Sequence, residues 1–168
     1  NFDADFAILD SDFDGNGNSQ YSSLTTASFS TVGYPAVNLS FSEQFRSYAG
    51  SQHDLEYSID GGITWVNFRS GTADIGYPNP AVVTTLAMPS PTINQPDVRI
   101  RFTYTGSWGW WWAVDQVEVL GLNNCTGIPT AGTISGNPDT VCANMSYVMT
   151  LTGASGDAGI TIQWQSST

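Results

Sequence analysis

Apolar residues in this chain recur at every second position, and that period decides what it can fold into. Val37-Asn38-Leu39-Ser40-Phe41 alternates apolar and polar, and Leu55-Glu56-Tyr57-Ser58-Ile59 repeats the pattern. Val98, Ile100, Phe102 and Tyr104 share one face, with Arg99, Arg101 and Thr103 on the other. Such alternation sends one side of a segment into a core and the other into water, as in half-buried antiparallel strands. Turn-forming clusters separate the runs: Asp60-Gly61-Gly62, Tyr77-Pro78-Asn79-Pro80 and Pro89-Ser90-Pro91. Helix-period segments are absent. The expected class is all-β, an antiparallel sandwich.

The texture changes after Leu120. Residues 121–136 are rich in Gly, Pro, Thr and Asn, and all four arginines precede them. This predicts a first domain over residues 1–121 and a second over 122–168. In the second, Thr140-Val141-Cys142, Tyr147-Val148-Met149-Thr150-Leu151 and Ile160-Thr161-Ile162-Gln163-Trp164 read as strands. Trp164 falls where immunoglobulin-like sandwiches place a core tryptophan. The 47 residues from 122 to 168 are fewer than the roughly 80–100 of a complete sandwich, so the expectation is a truncated Ig-like β-sandwich.

Charge narrows the partners. The net charge is −11, and the four cations are Arg46, Arg69, Arg99 and Arg101, with no lysine. Such a surface repels phosphate backbones, which excludes nucleic acid as a partner. Charged residues make up 11 % of the chain, against roughly 25 % in ordinary soluble domains. Ser, Thr, Asn and Gly supply the polarity instead, as in extracellular β-proteins. No run approaches the roughly 18 apolar residues of a membrane-spanning helix. The chain opens on Asn1 without methionine, which points to processing or to a piece of something longer. Export makes a disulfide between Cys125 and Cys142 the favoured reading, with two free thiols as the alternative. The bond would close an 18-residue loop and contribute about 3 kcal/mol.

The sharpest local signal is Asp10-Ser11-Asp12-Phe13-Asp14-Gly15-Asn16-Gly17-Asn18. Alternating oxygen side chains and turn-permitting glycines suit a hard cation, here Ca²⁺, with Asp10, Asp12, Asp14 and Asn16 as ligands. No glutamate stands at the twelfth position, so this is no EF-hand; an ordinary acidic turn has the same composition. The second signal is Trp108-Gly109-Trp110-Trp111-Trp112-Ala113-Val114-Asp115-Gln116-Val117-Glu118-Val119. Counting back from the valines puts Trp111 and Asp115 inward and Trp110 and Trp112 outward. An inward carboxylate is costly unless satisfied, which makes Asp115 the candidate remote calcium ligand. Trp108, Trp110 and Trp112 become candidate ligand-binding rings; alternatively Arg99 and Arg101 cover them, or a following domain does.

Ser58-Ile59-Asp60-Gly61-Gly62-Ile63-Thr64-Trp65 fits the Ser-x-Asp-x-Gly-x-x-Trp Asp-box pattern, a structural hairpin rather than evidence of glycosidase activity. His53 is the only histidine and reads as a loop or strand-edge residue. No serine sits in a nucleophile-elbow context and nothing selects a pair of carboxylates, so no catalysis is expected.

Taken in order, these pieces resemble the cleaved-adhesin jelly rolls and the MAM-like, "choice-of-anchor" domains of bacterial surface proteins. The resemblance runs from about Phe6 to Leu120. It rests on the acidic opening, Leu24-Thr25-Thr26 leading into Val37-Asn38-Leu39-Ser40-Phe41, the Asp-box hairpin, Val98-Arg99-Ile100-Arg101-Phe102 and Trp112-Ala113-Val114-Asp115-Gln116-Val117-Glu118-Val119. It implies a jelly roll with structural calcium held by the early acidic loop and the late Asp115. The tail resembles the PKD- or Ig-like stalk repeats of adhesins exported by the type IX pathway. Asp139-Thr140-Val141 matches the O-glycosylation pattern of bacteria with that pathway, at Thr140. The expectation is a secreted, surface-associated, non-catalytic module that is stabilised by Ca²⁺ and binds a surface glycan or protein. The alternatives are a spacer or filament module without a ligand of its own, and an accessory domain of a secreted hydrolase.

Overall fold

Eight strands carry the alternation: β1 Ala7–Asp10, β2 Ser19–Thr25, β3 Ala36–Phe45, β4 Gln52–Ser58, β5 Val66–Gly71, β6 Val82–Ala87, β7 Arg99–Ser107 and β8 Trp111–Leu122. They come from a computed structural model that describes residues 2, 5–13, 15–122, 131–135 and 150–154. The chain divides into two compact units, Asn1–Leu122 and Asn123–Thr168. In the first, two four-stranded sheets have the orders β1-β8-β3-β6 and β2-β7-β4-β5. Every neighbouring pair is antiparallel. The chain changes sheet after every strand except β4, which turns straight into β5. These interleaved crossings are those of a jelly roll. Among the described residues the one helical element is a 3-10 turn at Ser90–Thr92.

The two inner faces meet in a single core. Val37, Leu39, Phe41 and Phe45 of β3 face Leu55 and Tyr57 of β4 and Ile100, Phe102 and Tyr104 of β7, all buried. Full burial of each such side chain stabilises by about 1.5–3 kcal/mol. Aromatic rings interlock across the gap, Phe41 meeting Phe102 edge-to-face at 5.1 Å between centroids.

One irregularity redirects β8. Ser40 pairs with Glu118 but Ser42 with Asp115, so Gln116 and Val117 together oppose Phe41. Gln116 takes a φ of +52°, the left-handed residue that accommodates this bulge. An extra residue reverses the parity on either side of it, and that corrects three expectations, for Trp111, Trp112 and Asp115. Trp112, expected outward, is fully buried, whereas Asp115, expected inward, lies on the outer face with Trp111 and Ala113.

In the second unit, β9 (Ala131–Ser135) and β10 (Thr150–Ala154) pair antiparallel, with Leu151 opposite Ile134. Cys125, Cys142, Thr140 and Trp164 lie outside the described residues.

Candidate functional site

Strand register brings together residues far apart in sequence on the outer face of the β1-β8-β3 sheet. Ala113 stands between Ile8 on β1 and Gln44 on β3. One position pair along, Trp111 stands between Asp10, its partner on β1, and Arg46, whose backbone N–H donates to the Trp111 carbonyl at 3.0 Å. The small Ala113 side chain leaves a floor between taller neighbours. The result is a groove of about 380 Å³ lined by Phe2, Phe6, Ile8, Asp10, Gln44, Trp111 and Ala113. Phe6 and Ile8 are 47 % and 49 % exposed, and Phe2 stacks on Phe6 at 4.9 Å. The wall of the groove is therefore apolar and half exposed.

Trp111 is held in place by polar contacts. Its indole N–H donates to Gln44 Oε1 at 3.3 Å, and the Gln44 amide donates to the Asn79 carbonyl at 2.8 Å. Both functions of the Gln44 amide group are therefore engaged in fixing the ring. Asp10 closes the end of the groove, one carboxylate oxygen accepting the Asp12 N–H at 2.9 Å.

Beside the groove lies an arginine–aromatic stack. The Arg46 guanidinium carbon sits 3.5 Å from the Trp110 ring centroid, 4.4 Å from Tyr77 and 5.4 Å from Trp111. Trp111 in turn meets Trp110 and Tyr77 edge-on at 5.8 and 6.2 Å. Arg46 was not among the residues expected to cover the rings. Arg101 instead lies 4.2 Å over Trp65 and pairs with Glu56, while Arg99 pairs with Asp97. Both stand on or beside β7, in the opposite sheet. Trp108, in the connection between β7 and β8, is 43 % exposed and meets Tyr48 edge-on at 6.5 Å.

A buried knot anchors this connection. The Ser11 hydroxyl lies 2.8 Å from Tyr104 Oη and 2.7 Å from the Gly109 carbonyl oxygen, and accepts the Gly109 N–H at 2.9 Å. The single Tyr104 hydroxyl proton is within reach of the Gly109 and Trp110 carbonyls. Burial pushes the Tyr104 phenol above its ordinary pKa, so it stays a donor. Position 109 must be glycine, because a Cβ there would stand 2.6 Å from the Tyr48 carbonyl oxygen. This support holds Trp108 in the left-handed region at φ +52°, a conformation that costs a non-glycine residue about 1–2 kcal/mol.

The expected calcium ligands do not converge as a set. Asp10 pairs with Trp111 while Asp115 lies four residues further along β8, about 13 Å away at strand rise. Asp115 is therefore remote from the acidic loop; the bulge that reversed its face also removed the reason to satisfy it there. Asp10 and Asp12 are joined by the turn described above, Asn16 is exposed, and Asp14 lies outside the described residues. Among the described residues no group of three or more His, Cys, Asp or Glu side chains is placed to hold a metal ion.

Two further sequence signals prove structural. Asp60 accepts the Thr64 N–H at 2.9 Å, the Thr64 hydroxyl at 2.5 Å and the Ser58 hydroxyl at 2.7 Å. The Thr64 hydroxyl and N–H, then Ser58, hold its carboxyl down to about 2. Trp65 closes the same hairpin by donating to the Gly62 carbonyl at 3.0 Å. His53, expected in a loop or at a strand edge, instead lies on the inner face of β4, 2 % exposed. Its ring packs against Phe45 at 4.8 Å and Trp112 at 5.1 Å. Burial, then the Arg69 charge, lowers its pKa against opposing effects of Glu43 and Asp54. Nearby, Glu43 is fully buried and accepts from Arg69 at 2.7 Å, Thr84 at 2.6 Å and the Trp112 indole at 3.1 Å.

No family model and no curated protein matches the chain. Among solved structures, that of TmCBM61 in complex with beta-1,4-galactotriose is similar over 62 % of this chain, at 14 % identity and a TM-score of 0.36. The match covers 63 % of that structure, less than two thirds of its length. A likeness at this level carries no argument, and the jelly-roll assignment rests on the two strand orders.

Proposed function

We propose that the first unit is a non-catalytic, glycan-binding jelly-roll module of an exported surface protein, with the groove beside Trp111 as its binding site. The observation that carries this reading is the composition of the groove: an immobilised indole and exposed Phe6 and Ile8 form its walls, and Asp10 stands at its end. A pyranose presents the complementary surface, an apolar C–H face bordered by hydroxyls. The ring stacks on Trp111 while a hydroxyl donates to Asp10, dividing apolar and polar contacts as small-molecule sites do. A volume of about 380 Å³ suits one or two sugar rings. The reading is non-catalytic because the one histidine is locked in the core and, among the described residues, no second carboxylate stands beside Asp10 in the groove lining. Composition supports export: low charge, no lysine, and polarity from Ser, Thr, Asn and Gly.

The test is binding of the full chain to an immobilised oligosaccharide array, compared with Trp111→Ala. Wild type is expected to bind a subset of glycans, and the variant to lose about tenfold or more in affinity, since a stacked ring contributes of the order of 1.5 kcal/mol. Absence of binding by wild-type protein to every glycan would remove this reading and leave the ligand-free spacer in its place. We further propose that the loop from Asp10 to Asn18 binds Ca²⁺ through Asp10, Asp12, Asp14 and Asn16 without Asp115, on the alternating oxygen side chains of its sequence.

A further inference from the structure

We infer that the glycan is acidic: Arg46 takes a uronate carboxylate at the edge of the groove beside Trp111. The inference rests on the glycan reading and names the substrate class within it. Three of the four arginines are in ion pairs, Arg69 with Glu43, Arg99 with Asp97 and Arg101 with Glu56. Arg46 makes no ion pair among the described residues, in a chain with 15 acidic side chains. Its guanidinium lies over the faces of Trp110 and Tyr77, at 3.5 and 4.4 Å.

Stacking of this kind uses the π faces of the cation and leaves its in-plane N–H donors for other partners. The two rings hold the guanidinium in place before any ligand arrives, so a planar carboxylate can be met by N–H···O bonds with little further ordering. Arg46 is also the immediate cross-strand neighbour of Trp111, on the opposite side from Asp10. A sugar stacked on Trp111 therefore spans two unlike edges. Asp10 accepts from hydroxyls, and Arg46 donates to a carboxylate. The net charge of −11 opposes an anion only weakly at contact range, because charges further than about 8 Å are screened at physiological salt.

The experiment titrates the full chain with matched oligosaccharide pairs that differ only at C6: gluco- and glucurono-, galacto- and galacturono-, manno- and mannurono-oligomers. Wild type is expected to bind at least one uronate about tenfold or more tightly than its neutral counterpart. Arg46→Met, which keeps the apolar stem on the rings, is expected to bring that preference to within about threefold. Arg46→Lys should fall between, having the charge without the fork. Equal or tighter binding of the neutral member of every pair overturns the inference and leaves the glycan reading standing. A uronate preference that persists in folded Arg46→Met also overturns it. No binding to any oligomer, neutral or acidic, overturns both.

Discussion

Replacing Arg69 by Met is expected to destabilise the first unit strongly. Glu43 is completely buried and its partner is 21 % exposed. The substitution leaves the carboxylate in the core with the Thr84 hydroxyl and the Trp112 indole as neutral donors. Removing one partner of a buried pair costs about 3–5 kcal/mol, because the other charge is left uncompensated away from water. Urea unfolding followed by tryptophan fluorescence at pH 7, wild type against variant, measures it. The double replacement Glu43→Leu with Arg69→Met removes the charge altogether and is expected within about 1 kcal/mol of wild type. A single-variant penalty below about 0.5 kcal/mol, or a double-variant penalty as large as the single one, would refute the electrostatic account.

His53 gives the wild-type protein its own acid sensitivity. Burial and the Arg69 charge hold its folded pKa below the ordinary 6.5; the unfolded chain takes the proton first, so stability falls as pH drops below 6.5 toward the folded value. The slope is at most about 1.4 kcal/mol per pH unit for one proton. His53→Phe, which keeps an aromatic ring against Phe45 and Trp112, should flatten the stability profile between pH 6.5 and 5.5; an unchanged slope assigns the effect elsewhere. For calcium, a dissociation constant of about 10⁻⁴–10⁻³ M gives about 1.4–2.7 kcal/mol at 10 mM ion, a melting point several degrees above that in EDTA. Asp12→Ala should abolish that shift and Asp115→Ala should not; no shift in the wild-type protein removes the loop site.

Where the alternation ran unbroken, the sequence was enough. Val37, Leu39 and Phe41, Leu55 and Tyr57, and Val98, Ile100, Phe102 and Tyr104 all face the core. Parity failed on β8 because Gln116 takes up the left-handed bulge conformation that glycine or asparagine would have signalled. Counting from Val119 toward Trp112 crosses that residue, and the face assignments of Trp111, Trp112 and Asp115 invert. His53 was misplaced for another reason. Its polarity outweighed its position, although the spacing His53-x-Leu55-x-Tyr57 puts it on the inner face. The ring partner of Trp110 was misassigned because order along the chain does not give order across a sheet. β7 precedes β8 directly, yet the neighbours of β8 are β1 and β3, which bring Asp10 and Arg46 rather than Arg99 or Arg101. The groove was illegible for the same reason, since Phe6, Gln44 and Trp111 meet only after six crossings between sheets.

The run Trp110-Trp111-Trp112 shows how the bulge divides adjacent residues between folding and binding. Successive side chains on a strand point to opposite faces, so Trp112 enters the core and donates to Glu43 while Trp111 must stand outside. The sheet does not need Trp111, Phe6 or Ile8 for its cohesion. Leu9, Phe45 and Trp112, on the inner side of the same three strands, already pack into the core cluster. Polar residues at the outer positions would leave those contacts intact and present less apolar surface to water, particularly on the four-residue edge strand β1. Folding therefore supplies no reason for an apolar wall at this place, nor for a hydrogen bond through Gln44 that fixes one indole within it. A ligand with an apolar face and a polar edge supplies both.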